Sequence, residues 1–294
     1  MKKKKILAVV VTYNRKELLS ECIEALLKQE CDFLDVLIVD NASTDGTRRY
    51  IDKYIKNKRV LYENTGSNIG GAGGFNYGMK KGVELGYDYI WLMDDDTIVK
   101  KDSLTNLLKA DEDLKGNYGF LSSRTLWTDE SICLMNKQKE KLFQKKSKYP
   151  KIRFASFVSF FVKTDIIKEV GLPIKDFFIW SDDVEYSMRI QKKYNCYLVE
   201  DSEVIHKTKS NIGPNIAKDD ERIDRYYYLF RNEMYIAKHN SILRKFYMLA
   251  VIIVLSLRVI FKSKNYKSKK LKVISKGVKD GFKFNPKVEY IKNQ

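Results

Sequence analysis

Apolar positions follow two rhythms along this chain. Short apolar runs centre on residues 6–11, 36–39 and 87–93, with a weaker one at 59–63. Between them apolar residues recur every three or four positions. In 16–30, for example, Leu18, Leu19, Cys22, Ile23, Leu26 and Leu27 share one helical face. The same spacing predicts helices at 47–56, 73–85 and 102–114. Strand and helix thus alternate from the start, the order of a doubly wound, mostly parallel sheet with helices on both faces.

The second half is less regular. Residues 127–150 mix Lys, Gln and Ser and read as a mobile excursion. Residues 152–162 read as a buried strand pair or one bent strand, 182–193 as a helix and 197–199 as a strand leading to His206. Residues 219–239 read as one long helix rich in Tyr. Residues 246–257 carry no charge, but Arg244 and Lys245 precede them and Arg258 follows. A spanning helix needs about 20 apolar residues. The segment around 243–261 is therefore expected to lie in a membrane interface, or else to form the core helix of a small C-terminal domain. The chain divides on this reading into 1–215 and a helical, basic 216–294.

Composition narrows the setting. In 294 residues, 44% hydrophobic and 13% aromatic content indicates a packed core. Cys22, Cys31, Cys133 and Cys196 are scattered without a CxxC pair, which suggests neither a zinc site nor a disulfide framework and favours a reducing compartment. The basic start at Lys2 to Lys5 resembles a signal n-region, but Tyr13-Asn14-Arg15 interrupts the apolar run, so 6–11 is read as a first strand. The net charge of +17 is uneven: residues 241–294 carry 14 Lys and Arg against Asp280 and Glu289. That concentration of +12 at one end points to a surface-binding tail meeting anionic lipid. A basic protein binding nucleic acid is the competing class; the uncharged run at 246–257 and the acidic strand ends oppose it.

Polar clusters follow the predicted strands. Ile90-Trp91-Leu92-Met93 ends in Asp94-Asp95-Asp96. Buried strand interiors do not tolerate adjacent anions, so these acids belong where the strand leaves the sheet, the edge at which open α/β sheets bind ligands. Alone, such a triplet fits a solvated acidic turn as well as a site for Mn²⁺ or Mg²⁺ bridging to phosphate. The first strand ends in Thr12-Tyr13-Asn14-Arg15 and the second in Asp40-Asn41, on the same edge. Asp40 or Asn41 can bond a base or ribose there, or shape the next turn. Residues 64–76 hold five glycines in nine positions, which allow close approach to a ligand, but no Walker Lys-Ser/Thr. Trp180-Ser181-Asp182-Asp183-Val184-Glu185 is a second acidic cluster. It fits a capped helix start, with Asp182 or Asp183 as N-cap, or a general base beside a sugar-stacking aromatic. His206 can complete a metal site begun by carboxylates.

The joint occurrence of Val11-Thr12-Tyr13-Asn14-Arg15, Val39-Asp40-Asn41-Ala42-Ser43-Thr44-Asp45, Asn68-Ile69-Gly70-Gly71, Asp94-Asp95-Asp96 and Asp182-Asp183 resembles the inverting glycosyltransferases of family 2, with the GT-A fold. More narrowly, Gly70-Gly71-Ala72-Gly73-Gly74-Phe75, Trp180-Ser181-Asp182-Asp183-Val184-Glu185-Tyr186 and Tyr227-Tyr228-Leu229-Phe230-Arg231-Asn232 are similar to the galactofuranosyltransferase and rhamnosyltransferase branch. The resemblance implies a sugar-nucleotide donor. Thr12, Asp40 and Asn41 would hold base and ribose; Tyr13, Asn14, Arg15, Asn68, Gly70 and Gly71 would lie near the nucleotide. It implies Asp94, Asp96 and His206 as ligands of Mn²⁺ or Mg²⁺, with Asp95 facing the donor sugar or a neighbouring backbone. Asp183 would be the general base, and Trp180 and Asp182 would position the acceptor. The expected reaction moves galactofuranose from UDP-galactofuranose, or rhamnose from dTDP-rhamnose, to a lipid-linked glycan at the inner face of the cytoplasmic membrane. A nucleotidyltransferase on the same fold is disfavoured, because Tyr13-Asn14-Arg15-Lys16 does not supply the usual Gly-rich basic loop.

Overall fold

The computed structural model describes residues 4–31, 33–138 and 146–291. Its centre is an eight-stranded mixed sheet of order β3-β2-β1-β4-β7-β6-β8-β5. The strands are β1 (Ile6–Thr12), β2 (Leu34–Asp40), β3 (Val60–Asn64), β4 (Tyr89–Asp94), β5 (Thr97–Val99), β6 (Phe120–Leu126), β7 (Phe160–Lys163) and β8 (Tyr197–His206). β1 pairs in parallel with β2 and β4, and β2 with β3, as the alternating pattern predicts. β7 enters antiparallel between β4 and β6, and β5 closes antiparallel on β8.

The continuous apolar character of β1 follows from its central place. Ile6, Ala8 and Val10 face one layer, with Leu19, Cys22, Ile23 and Leu26 of α1 (Lys16–Leu27) and Leu104, Leu107 and Ala110 of α5 (Ser103–Asp113). Leu7, Val9 and Val11 face the other, with Phe75 and Met79 of α4 (Gly70–Glu84) and Ile166, Ile167 and Val170 of α6 (Thr164–Val170). A strand covered on both faces has no polar side to alternate with.

Several expectations are corrected by local physics. The helix expected at 47–56 is two single turns, α2 (Thr47–Tyr50) and α3 (Asp52–Ile55), broken at Ile51, whose side chain is fully buried. Within 152–162 only the end joins the sheet, as β7, and α6 follows it directly. β8 runs ten residues instead of three, so His206 is its last residue rather than a loop position. The long helix expected at 219–239 starts late, as α8 (Tyr226–Lys238). Asp219 takes the Arg222 N–H at 3.0 Å and its guanidinium at 2.7 Å, a local bond that competes with helix for this polar run. Of the excursion at 127–150, residues 139–145 lie outside the described residues.

The glycine run is divided among different tasks. Gly73 and Gly74 lie inside α4, which starts at Gly70, three residues before the expected start. A Cβ on Gly74, Gly78 or Gly82 would lie 2.5, 2.3 or 2.2 Å from a side chain of Val11, Val9 or Ile90. This stripe at four-residue spacing seats α4 directly on β1 and β4, so much of the run serves packing.

After α7 (Asp182–Gln191) and β8 the chain forms three helices: α8, α9 (Ile242–Lys262) and α10 (Lys267–Lys283). α10 lies against α8 through Gly277 and Gly281, where a Cβ would meet Tyr227 O at 2.7 Å and Met234 Cβ at 2.5 Å. Tyr235 and Ile236 of α8 pack with Phe177, Ile174 and Ala72. The last described residues return to the sheet layer: Glu289 O accepts from Leu172 N, and its carboxylate meets Lys80 at 2.9 Å.

The α4 stripe gives the first test. Gly78→Ala is expected to destabilise the chain by about 1–3 kcal/mol, the usual cost of forcing an extra carbon into a close-packed contact. Urea denaturation should show a lower midpoint with an unchanged slope.

Candidate active site

Three parallel strands deliver the site. Val11 pairs with Asp94 and Thr12 with Asp40, so the ends of β1, β2 and β4 stand level. Asp95 and Asp96 form the tight turn from β4 into β5. β5 in turn sets Thr97 opposite His206 on β8, and Lys207 N–H donates to Asp96 O at 2.8 Å. The sheet therefore brings His206 to the acidic triplet from over a hundred residues away.

Asp94, Asp96 and His206 offer ligand atoms that all lie within 4.8 Å of one another. His206 Nε2 stands 2.9 Å from Asp96 Oδ1, yet that buried oxygen has no hydrogen bond of acceptable geometry. On the far side of the ring, Nδ1 lies 2.7 Å from Asn136 Oδ1, which can only accept. That partner places the proton on Nδ1 and turns the Nε2 lone pair toward the carboxylates, the arrangement of a metal-binding imidazole. An orphaned carboxylate oxygen beside such a lone pair fits a divalent cation, and the oxygen-rich donor set suits Mn²⁺ or Mg²⁺.

Electrostatics agree. Burial and the neighbouring Asp96 push Asp94 up to about 6. Burial also lifts Asp95 to about 7 against the pull of Arg15. Asp96 is held below the usual carboxylate range, because His206 and Arg15 outweigh its burial. For His206, burial opposes the charged ring, but Asp96 and its neighbours raise it to about 10. The site thus recruits a positive charge from its own imidazole in the absence of another cation.

Asp95 faces the protein. It accepts from Thr12 Oγ1 at 2.7 Å and from Arg15 Nη1 at 3.2 Å, and Arg15 also reaches Asp96 at 2.7 Å. Thr12 and Arg15 therefore lock the exit of β1 to the acidic turn. Asp40 is buried, with Ser43 N–H on one oxygen and Tyr62 O–H on the other. Asn41 donates to Gly70 O at 3.0 Å, and Asn68 Oδ1 accepts from Gly70 N. Gly70 adopts φ +74, and a Cβ there would sit 2.1 Å from Phe178 O, so only glycine fits. Asn14 takes the Thr44 N–H at 2.7 Å, and Tyr13 is exposed.

The opposite wall is the start of α7. Ser181 is its N-cap, so neither Asp182 nor Asp183 takes that position; both occupy the first turn, and Val184 N–H donates to Asp183 at 2.7 Å. Burial drives Asp182 well above its ordinary value, with Asp183 adding to it. Burial lifts Asp183 to about 7; the Val184 N–H opposes the rise, while Asp94 and Glu233 reinforce it.

A cavity of about 410 Å³ joins the two walls. Its lining includes Arg15, Gly71, Asp94, Asp96, Trp180, Asp182, Asp183 and His206. Thr12, Tyr13, Asn14, Asp40, Asn41, Asn68, Gly70 and Asp95 stand outside it, on the neighbouring strand-end shelf. The sequence reading missed Asn136, Ser156, Arg222 and Arg225, which also line the space. Isolated polar residues in unpatterned segments carry no spacing signal. The two arginines had been assigned to a helix that begins after them.

Residues 7–171 match the profile described as glycosyl transferase family 2. The chain belongs to glycosyl transferase family 2. It is 36% identical over 97 residues to galactofuranosyltransferase GlfT1 of Mycolicibacterium smegmatis, a stretch covering 31% of this chain and 30% of that one. It is 36% identical over 104 residues to abequosyltransferase RfbV of Salmonella typhimurium, covering 33% and 30%. The matched stretches thus span about a third of each relative's length. The mannosyltransferase PcManGT from Pyrobaculum calidifontis, solved in complex with GDP-Man and Mn²⁺, superposes with a TM-score of 0.59 at 17% identity, covering 94% of this chain and 74% of that one. That likeness shows the fold. The GT-A expectation and the assignment to a glycosyltransferase family are borne out.

Removing one ligand tests the triad. Asp96→Ala is expected to weaken Mn²⁺ binding by at least roughly tenfold, measured by electron paramagnetic resonance of free Mn²⁺. Unchanged affinity would exclude these side chains as ligands.

Proposed function

We propose that this chain is a metal-dependent inverting glycosyltransferase that moves galactofuranose from UDP-galactofuranose to a lipid-linked glycan in cell-surface polysaccharide synthesis. One observation carries the proposal: two acidic walls, Asp94–Asp96–His206 and Asp182–Asp183, face a single cavity. Similarity to a galactofuranosyltransferase supports the choice of sugar.

In this reading Asp94, Asp96 and His206 hold Mn²⁺ or Mg²⁺, which supplies positive charge to the departing diphosphate. Thr12, Asp40 and Asn41 carry the base and ribose on the shelf; the Asp40 oxygens keep lone pairs beyond those used by Ser43 and Tyr62. Arg15, Asn68 and Gly71 border the nucleotide. Trp180 and Asp182 orient the acceptor, and Asp183 takes the proton of its hydroxyl. The acceptor oxygen bonds to the anomeric carbon as the bond to the diphosphate breaks on the opposite face. The centre inverts in one displacement, and no covalent enzyme intermediate is needed.

A base with its pKa raised to about 7 suits this task, being available at neutral pH yet strong enough to accept the proton.

The C-terminal helices supply the membrane contact in this proposal. No helix among the described residues is long and apolar enough to cross a membrane. Yet α9 is apolar on two sides. Met248 and Val259 are buried, and Ile252 and Leu255 pack against α8 and α10. Leu243, Phe246, Ile253, Leu257 and Phe261 form a second stripe left in solvent, with Leu243 at 76% and Phe261 at 78% exposure. A helix buried on one side and apolar on the other suits the plane of a lipid interface. Lys272, Lys276, Lys279 and Lys283 of the neighbouring α10 would meet anionic headgroups at the inner face of the cytoplasmic membrane.

Incubation with a lipid-linked glycan and either UDP-galactofuranose or dTDP-rhamnose, with product mass as readout, tests the donor. Product from dTDP-rhamnose alone would replace galactofuranose in the proposal. Asp183→Asn is expected to abolish transfer while leaving UDP binding in Mn²⁺ intact, and near-normal turnover would overturn the assignment. In the parent enzyme kcat/KM should fall as pH drops below about 7, as the Asp183 carboxylate takes up its proton.

Charge reversal tests the membrane face without disturbing the α8–α10 packing that a deletion would expose. Leu243→Asp with Phe261→Asp is expected to release the protein from anionic vesicles in a flotation assay, with its melting temperature preserved. Full retention on vesicles would place the contact elsewhere.

A further inference from the structure

The residues leading into the acceptor wall adopt a backbone that bulky side chains avoid. Phe178 has φ 64 and ψ −61, Trp180 φ 67 and Ser181 φ 66. Non-glycine residues with positive φ persist where their surroundings over-determine them. Three near-consecutive cases in a loop that carries Trp180 and ends at Asp182-Asp183 require a strong external constraint.

That constraint comes from α8. Asn232 is fully buried, and its Nδ2 group donates to the carbonyls of Phe177 at 2.9 Å, Ile179 at 3.2 Å and Trp180 at 2.9 Å. Its Oδ1 accepts from Arg231 Nε at 3.1 Å and Nη2 at 3.0 Å. The same Arg231 nitrogen reaches Asp176 O at 2.6 Å and Phe177 O at 3.2 Å. Glu233 accepts from Ser181 Oγ at 2.8 Å with one oxygen and from Arg244 at 3.3 Å with the other. On the opposite side Phe178 O accepts from Ala72 N at the start of α4. Successive helical residues point about 100° apart. Three consecutive side chains reaching one segment mean that residues 176–181 wrap around α8.

The chemistry of residue 232 is specific. An amide presents donors to the converging carbonyls and an acceptor to Arg231 at once. A carboxylate would repel the carbonyls, and an aliphatic side chain would leave them buried without partners.

We infer that Asn232, with Arg231 and Glu233, is the positioning element that holds Trp180, Asp182 and Asp183 in register with the facing wall. None of the three is a catalytic residue; they act through the loop they grip. The inference rests on the reading of Asp183 as the base.

The test uses the full-length protein with Asn232→Ala. Transfer is expected to fall roughly 10- to 100-fold, the range for a displaced catalytic group, with a raised KM for the lipid-linked acceptor. The dissociation constant for UDP in Mn²⁺ should stay within about twofold, because Asn232 does not touch the nucleotide shelf. A second readout is independent of activity. In a Trp127→Phe background, with Trp91 fully buried, acrylamide quenching reports Trp180 and should increase in Asn232→Ala. Loss of UDP affinity in step with transfer would mark a general loosening and overturn the inference. So would unchanged quenching and an unchanged acceptor KM. If Asn232→Ala does not fold, the Glu233 pair decides: Glu233→Ala should raise the acceptor KM more than Glu233→Gln, which keeps an acceptor for Ser181. Equal damage from both overturns the hydrogen-bonded clamp. If no donor supports transfer, the glycosyltransfer proposal fails while the quenching result still decides the clamp.

Discussion

Repulsion between buried carboxylates is the constraint on which the site depends. Asp94, Asp96, Asp182 and Asp183 converge on one cavity, and each of Asp94, Asp182 and Asp183 is pushed upward chiefly by burial, with anionic neighbours adding to it. A fold does not collect such groups without opposing charge. Here the opposition is built in unequal parts. Arg15 and His206 sit on the strand-end wall, and together they hold Asp96 ionised. The other wall has only the first turn of α7, whose backbone N–H groups give a partial positive charge. The asymmetry separates the roles. The strand-end wall stays anionic and suits a cation; the α7 wall keeps carboxylates near neutral pH that can exchange a proton.

The scaffold around these acids shows what holding them requires. The turn at Asp95 and Asp96 is tied to β1 through Thr12 and Arg15, and to β8 through the Thr97–His206 pair. β1 itself is locked by the glycine stripe of α4, which brings the helix within contact of Val9 and Val11. The same helix begins at Gly70, against Phe178 O, one residue before the strained Ile179-Trp180-Ser181 stretch. α4 is therefore the one element that touches both walls, and its glycines set their separation.

The parts legible in the sequence were those with a period. The alternating strands and helices of the first hundred residues, the shared level of Thr12, Asp40 and Asp94, and the charge of the tail all follow from local pattern. The pairing of His206 with Asp96 was inferred from resemblance; spacing could not give it, since β8 reads as three residues and its length is set by pairing with β6 across a register shift. β5, β6 and α10 went unseen for related reasons. β5 is three residues long, β6 contains Ser122, Ser123 and Arg124, and α10 is so rich in Lys that its few apolar contacts and two glycines look like a solvated tail. The glycine run misled in the opposite direction: a signal that favours ligand approach turned out to serve helix–sheet contact in much of its length. Asn232 stood inside a quoted motif, but its task depends on a loop some fifty residues earlier, and no local pattern encodes that.

The C-terminal helices change how the catalytic wall should be viewed. Glu233 is shared: one oxygen holds Ser181 beside the site, and the other holds Arg244 in the first turn of α9. α9 is the helix whose outer stripe is left in solvent, while its inner side packs with α8 and α10. The acceptor wall, the clamp on α8 and the exposed apolar helix are thus one continuously bonded unit. Rigid packing transmits displacement rather than absorbing it, so the orientation of α9 and the placement of Asp183 are geometrically dependent. For an acceptor whose lipid end stays in a membrane, that dependence fixes the height of the base above the lipid surface by the same contacts that fold the C-terminal helices.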